Sequence, residues 1–477
     1  MSVQETVITN ENLRGFIEMY ITNRAALPTD LKGEKIGQWN VSGVTVMIDT
    51  FRNCVDFNEP LDGWSVGSVT NMTNMFNGCK EFNQSLNHWD VGKVTSMHGM
   101  FEGCEEFNKP LDGWSVGSVT NMTRMFRGCK RFDQSLNRWD VGHVTNMSFM
   151  FYGCETFNKP LDSWSVGLVR EMKYMFLICK EFDQSLNNWD VGQVTNMECM
   201  FGQCTKFNKP LNRWNMRNVS NVTYMFNACE TFDCPLRDWK DRLGKVTSME
   251  SMFNGCSTFN QPLEDWDVSK VKSMSTMFAR CFKFNQPLNG WNVKNVEKMF
   301  CMFSDCTNFS QPLDEWDVRK VKDMRYMFED CTSFNQPLDT WKVGKKTEID
   351  GMFRGAKSFK EITWRDKDFK KRVQNNRKKV VVELKKNSML LPEMKRYINE
   401  AKLMPPPEEG DVFGTPNISF FHEDYKKAKK NFEMRVRGES VSRSLSKSKS
   451  RSASSSDNHA TRSKAITKMR SSRKQRT

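Results

Sequence analysis

Long apolar runs are missing from this sequence of 477 residues, and no stretch approaches the roughly 18 apolar residues that a membrane span requires. The opening residues, MSVQETVITNENLRGF, show neither the basic start nor the apolar centre of a secretory signal. Synthesis in the cytosol and an intracellular location are therefore expected. Histidine is scarce: His88, His98, His143, His422 and His459 are scattered along the chain. No phosphate loop, nucleophile elbow or paired-histidine zinc motif occurs, and no C-x-x-C spacing would gather metal ligands. Carboxylates are plentiful but recur by register, so no distinctive pair stands out. Neither a cofactor nor an enzymatic activity is expected.

Hydrophobic residues make up only 38% of the chain, a low share offset by 35 Phe, 31 Met and 14 Trp. Each such side chain buries a large apolar area, so fewer suffice to hold a core. The formal charge of +14 is unevenly spread. Residues 1–364 carry 41 Lys and Arg against 44 Asp and Glu, whereas residues 365–477 carry 30 against 13. The basicity belongs to the C-terminal part and points to an acidic partner there.

Tryptophan reveals the organisation. Trp39, Trp64, Trp89, Trp114, Trp139, Trp164, Trp189, Trp214 and Trp239 fall 25 residues apart; after one step of 27, Trp266, Trp291, Trp316 and Trp341 resume the period. The unit reads W-[DSN]-V-G-x-V-T-x-M-x-x-M-F-x-x-C-x-x-F-[ND]-[QK]-[PS]-L-[ND]-x. Length therefore counts turns of one solenoid. The alternation of Trp and Val predicts a short strand at L-x-x-W-x-V-x-x-V. The three- and four-residue spacing in V-T-x-M-x-x-M-F-x-x-C predicts about two turns of helix. The [ND]-[QK]-P-L stretch reads as a turn in which Pro60, Pro110 and Pro160 fix φ. The expected fold is thus an α/β repeat solenoid of about thirteen turns, roughly 60 Å long at about 4.8 Å per strand. A 50-residue pair period overlies it: Pro60, Ser85, Pro110 and Ser135 alternate at one position, Ser65, Asp90, Ser115 and Asp140 at another. The two extra residues in the stretch from Trp239 to Gly244 should bulge without ending the stack.

The strand spacing is that of the leucine-rich repeat. FNQPLNGWNVKNVEKMF and FNQPLEDWDVSKVKSMSTMF closely resemble the BspA-like leucine-rich-repeat proteins, with the 25-residue repeat first noted in mycoplasma lipoproteins, over about residues 36–356. The resemblance implies a solenoid used in adhesion or protein interaction, on bacterial surfaces and also in large DNA viruses and some microbial eukaryotes. It implies no catalytic residues. The missing signal and the basic tail favour an intracellular or virion-associated member: cytoplasm, nucleus or virion.

The chain divides into a capping segment (1–38), the solenoid with a degenerate C-terminal cap (39–364), a basic helical or linker segment (365–436) and a disordered Ser/Arg/Lys-rich tail (437–477). Residues 10–26 read as an amphipathic capping helix with Asn10 as N-cap and Leu13, Phe16, Ile17, Tyr20 and Ile21 facing inward. At the other end Ala356 replaces the repeat cysteine and the pattern decays through Phe359 and Trp364. A helical pattern follows around Val380, Val381, Leu384, Met394 and Ile398, and a shorter one at 420–435.

The repeating cysteines, Cys54 to Cys331, read as buried small hydrophobes: neighbours lie within disulfide distance, but a ladder points them the same way. Cys199, Cys234 and Cys301 stand outside the ladder and have no partner motif. Fifteen thiols and no signal favour a reducing compartment. The residues flanking each Trp vary and so should face solvent, which makes them the candidate protein-binding strand face: His88, Asp90, Arg138, Asp140, Asn188, Asp190, Arg213, Asp265, Asp267, Glu315 and Asp317. A merely solvated face is the competing reading. The tail residues Arg443, Lys447, Lys449, Arg451, Lys468, Arg470, Arg473, Lys474 and Arg476 form a candidate electrostatic segment. It could neutralise nucleic-acid phosphates without reading bases; a localisation address, a phosphorylation-tuned segment and a solubilising end remain open. The leading expectation is a non-enzymatic protein-interaction scaffold tethered by its tail; the alternative is a nucleic-acid-associated or virion packaging protein acting through the tail. The repeat specifies no oligomeric state.

Overall fold

The computed structural model describes residues 5–359 and 367–386. The chain divides into two compact units, Met1–Arg396 and Tyr397–Thr477; the second falls outside the described residues, as do the expectations for Trp364, Met394, Ile398, the 420–435 helix and the disordered tail.

The first unit is a repeat solenoid whose coils are joined by one parallel bridge each. Coils are counted here by their tryptophans, from Trp39 in coil 1 to Trp341 in coil 13. Each of coils 2–12 sends side chains at the same nine positions inward, nearly all of one residue type per position. In coil 3 and the residues that follow it, Leu86, Trp89, Val91, Val94, Met97, Met100, Phe101, Cys104 and Phe107 are all buried. Identical residues stack on one another: Phe76 on Phe101 (ring centroids 5.7 Å apart), Phe82 on Phe107 (6.0 Å) and Trp114 on Trp139 (6.2 Å). Offset parallel rings at this spacing are an attractive arrangement.

Two expected elements are absent from the coils. The Leu–Trp–Val stretch is built of turns and not of a strand. The parallel pairing lies further on, one bridge per coil, in the column Val46, Asn71, Ser96, Asn121 and onward to Glu348. The Met-Phe segment is not a helix either. The N–H groups of Met72, Asn74, Phe76 and Gly78 donate to the carbonyls of Ser96, His98, Met100 and Glu102 in the next coil, at 2.7–3.0 Å. Between them, Met75, Asn77 and Cys79 donate back three residues, to Met72, Asn74 and Phe76. Consecutive β-turns thus alternate with intercoil bonds. A helix cannot form because two residues per coil, four apart, take positive φ: Asn74 (53°) and Gly78 (79°), Arg124 (60°) and Gly128 (75°), Tyr174 (59°) and Ile178 (66°). The inward residues keep their three- and four-residue spacing because consecutive turns also return the chain to one side.

Polar ladders hold the other corner. The side-chain oxygen of Asn83 accepts the N–H of Asn108, Asn108 that of Asp133, Asp133 that of Asn158, and the series runs on to Ser310 and Asn335. The [ND] of the turn is therefore an intercoil acceptor. Trp114 and Trp139 each donate from Nε1 to the leucine carbonyl one coil back, Leu86 and Leu111.

Both ends are covered. Helix α1 (Leu13–Thr22) buries Leu13, Ile17 and Tyr20, with Phe16 half-buried, but Ile21 is 45% exposed, contrary to expectation. A 3-10 turn, Arg24–Ala26, and a short helix α2 (Thr29–Lys32) follow. Asn10 is not the N-cap. Its Oδ1 accepts the N–H groups of Thr45 and Val46 at 2.9 and 3.1 Å, and its Nδ2 donates to Thr45 Oγ1. It closes the open edge of the first coil, where no preceding coil supplies an acceptor. At the far end, helix α3 (Lys367–Lys386) buries Phe369 and Val373, and Arg372 donates to the carbonyls of Gly344 and Thr347. Ala356, in the cysteine column, is buried.

Candidate binding face

The residues flanking each Trp are exposed as expected: His88, Asp90, Arg138, Asp140, Asn188, Asp190, Arg213, Asp265, Asp267 and Glu315 face solvent and Asp317 is half-buried. They lie on turns, however, and not on the ladder. Five of them have a local structural task. Asp90, Asp140 and Asp190 accept the N–H of Gly92, Gly142 and Gly192 at 3.0–3.1 Å, and Asp267 and Asp317 accept those of Ser269 and Arg319. These Asx-turns explain the Asp of alternate coils without any partner.

The face along the bridges varies as well. Two residues after each bridge the column reads Thr73, His98, Thr123, Ser148, Lys173, Glu198, Thr223; the next column reads Asn74, Gly99, Arg124, Phe149, Tyr174, Cys199, Tyr224. Its side chains interact from coil to coil. Along one line Asn77 bonds Glu102, Glu102 pairs with Arg127, and the Arg127 guanidinium lies 5.1 Å from the centre of the Tyr152 ring. On the next line Arg124 stands over Phe149, which stacks on Tyr174 at 4.7 Å, and the Tyr174 hydroxyl donates to Glu198 at 2.7 Å. Phe149, Tyr152, Tyr174, Leu177 and Cys199 are buried although they lie outside the core of the coils.

Burial governs the titrating groups here. It lowers the pKa of His98, with Arg124 adding to the effect and Glu102 opposing it, so burial disfavours the charged imidazole. It raises the Tyr174 hydroxyl and the Cys199 thiol far above their ordinary values; Glu198 adds to both, Cys199 raises Tyr174 further, and the Tyr174 hydrogen bond partly offsets the rise at Cys199. The stacked cysteines are raised in the same way, all are free thiols, and from Cys79 onward each donates to a phenylalanine carbonyl one coil back. Among the described residues no group of three His, Cys, Asp or Glu side chains is placed to hold a metal ion, and no helix is long and apolar enough to cross a membrane. The tail candidates from Arg443 to Arg476 lie outside the described residues.

Sequence reasoning found the varying positions beside Trp and missed those on the ladder. The same signal was present: in V-T-x-M-x-x-M-F-x-x, the x positions change chemistry from coil to coil while the V, M and F positions stay almost wholly apolar.

The sequence matches a family described as "Mycoplasma protein of unknown function, DUF285" over residues 18–139, 120–239, 235–329 and 301–382. No curated protein matches it. Among solved structures, a leucine-rich repeat protein from Eubacterium ventriosum ATCC 27560 is similar at 14% identity, over 72% of this chain and 90% of that one, with a TM-score of 0.29. TLR13 in its complex with ssRNA13 is similar at 11% identity, over 68% of this chain and 55% of that one, with a TM-score of 0.17.

Proposed function

We propose that this chain, which belongs to the DUF285 family of mycoplasma-type repeat proteins, is a non-enzymatic scaffold that binds a protein partner along the ladder face of its solenoid. The observation that carries this is the contrast between columns. Thirteen coils share one backbone geometry, so whatever the coil requires should recur in each. The inward columns do recur, whereas Thr73, His98, Thr123 and Lys173, all half-buried, occupy equivalent ladder positions with different size and charge. Solenoids present extended surfaces of this kind, and their variation sets partner choice.

The basic segment after residue 386 gives the scaffold an electrostatic tether to an acidic partner inside the cell, with nucleic acid as the first candidate. Packaging of nucleic acid by the tail, with the solenoid acting as spacer, is the second reading, and the charge asymmetry alone favours it. A photo-crosslinking side chain placed at Thr123, on the ladder face, and separately at Arg138, on the Trp turns, distinguishes the faces in cells that express the full chain. A discrete protein adduct from position 123 and none from 138 supports the scaffold. Adducts from neither position contradict it.

A further inference from the structure

The period of the stack breaks once, between Trp239 and Trp266. Leu243, four residues after Trp239, fills the place that Val66 takes two residues after Trp64: it is buried, and Val246 donates to its carbonyl as Val69 does to that of Val66. The bridge column continues without interruption from Asn221 to Ser248. The two extra residues are therefore accommodated in the stretch 240–242, which leaves the core and forms one wall of an open cleft of about 460 Å³. The opposite wall is coil 8. There a 3-10 turn, Met216–Asn218, puts Arg217 where Gly67, Gly92, Gly117, Gly142, Gly167 and Gly192 stand in coils 2–7.

Charge changes sign at the same place. In coils 2–7 the stretch from two residues before Trp to the residue after the second Val holds six acidic side chains and three basic ones. In coils 8 and 9 it holds Arg213, Arg217, Arg237, Lys240, Arg242 and Lys245 against Asp238 and Asp241. Arg213, Arg217, Lys240 and Arg242 line the cleft together with the two aspartates. Some of this charge has local partners: Arg242 Nη1 donates to the Trp214 carbonyl at 2.8 Å, Arg213 Nη1 to Asn188 at 3.1 Å, and Asp238 accepts from Asn212. Among the described residues, the Arg217 guanidinium and the Lys240 ammonium have no hydrogen-bond or ion-pair partner.

We propose that this cleft binds a phosphate monoester, carried on a side chain of a partner or on a small molecule. Four cations and two carboxylates leave two net positive charges, which match a dianionic monoester. A nucleic-acid phosphodiester carries a single charge per phosphate and so matches this net charge less well. Guanidinium groups supply the forked donors that tetrahedral phosphate oxygens accept. The volume lies in the range of small-ligand sites. The site is separate from the ladder face, so it stands or falls independently of the scaffold reading.

Titration calorimetry on the full chain tests it, with a phosphoserine peptide, its serine counterpart, inorganic phosphate and malonate as probes. The phosphoserine peptide should bind and the serine peptide should not. Arg217→Gln with Lys240→Gln should weaken binding about tenfold or more, with the near-UV circular dichroism of the tryptophans unchanged. Arg473→Gln with Lys474→Gln should leave it intact. Affinity should rise from about pH 5 to about pH 7 as the monoester loses its second proton. Inorganic phosphate binding as tightly as the peptide assigns the site to the free anion, and weaker binding assigns it to a phosphorylated side chain; both support the proposal. Malonate binding equally well, unchanged affinity in the cleft variant, an equal loss in the tail variant, or no binding at all would overturn it.

Discussion

The thiol of Cys129 donates to the carbonyl oxygen of Phe101, one coil back, at 3.0 Å. The same contact links Cys104 to Phe76 and Cys154 to Phe126. Without it, a buried carbonyl at the turn would lack a second partner. Desolvation, with a contribution from the neighbouring thiol, holds the Cys129 pKa well above the ordinary value near 9. A proton held more tightly in the folded state means that its contribution to stability is complete below the ordinary thiol range and is lost as pH rises above about 9. Thermal unfolding should therefore be flat in pH up to about 8.5 and shift downward beyond it. Replacing Cys129 and Cys154 with Ser, which keeps the donor and removes most of the titration, should reduce that alkaline slope measurably.

Asp140 closes an Asx-turn, its Oδ1 accepting the Gly142 N–H at 3.0 Å. Asp140→Asn should then fold and bind as the parent does, because the amide oxygen accepts equally. Asp140→Ala should cost about 0.5–1 kcal/mol in chemical denaturation. In the intercoil ladder, Asn108 accepts from both Asp133 N and Gln134 Nε2, so Asn108→Ala should cost more, about 1–2 kcal/mol.

Much of this architecture was legible in the sequence, and the part that was not has a specific cause. The 25-residue period, the inward set of Trp, Val, Met, Phe, Cys and Leu, and the tolerance of the two-residue insertion all follow from side-chain patterning. The pattern could not tell a helix from consecutive turns, because both bring residues 72, 75, 76 and 79 to one side. What decides is φ at residues such as Asn74 and Gly78. In some coils a glycine marks these positions. Elsewhere Phe149, Tyr174 and Ile178 adopt positive φ with nothing in their chemistry to announce it. Asn10 misled in the same way: an Asn ahead of an amphipathic segment has the form of a helix cap, and only the open edge at Thr45 and Val46 shows what it satisfies.

Ile178 makes this strain testable. It is β-branched, half-buried and at φ 66°, a conformation that costs a residue of this shape about 1–2 kcal/mol. Gly103, Gly128 and Gly153 hold the same place in earlier coils. Ile178→Gly should leave stability unchanged or raise it by up to about 1 kcal/mol, since relief of strain offsets the lost side-chain contact. An interior isoleucine without strain would instead lose several kcal/mol on truncation.

The basic tail is tested by salt. Full-length protein should bind single- and double-stranded nucleic acid alike, with affinity falling steeply as salt rises. A chain truncated after Lys386 keeps the α3 cap and should lose that binding. If the truncated chain binds as well as the full one, the electrostatic segment is not the tether.

The central claim is that the partner sits on the ladder face. Its most direct test is the affinity of the crosslinked partner for two double variants of the full chain. One carries Thr123→Arg and Lys173→Glu on the ladder; the other carries His88→Glu and Arg138→Glu on the Trp turns. The account predicts a loss of about tenfold or more for the ladder variant, about 1.4 kcal/mol, and a change of less than about twofold for the turn variant. The reverse pattern would contradict it and return the binding surface to the residues beside the tryptophans.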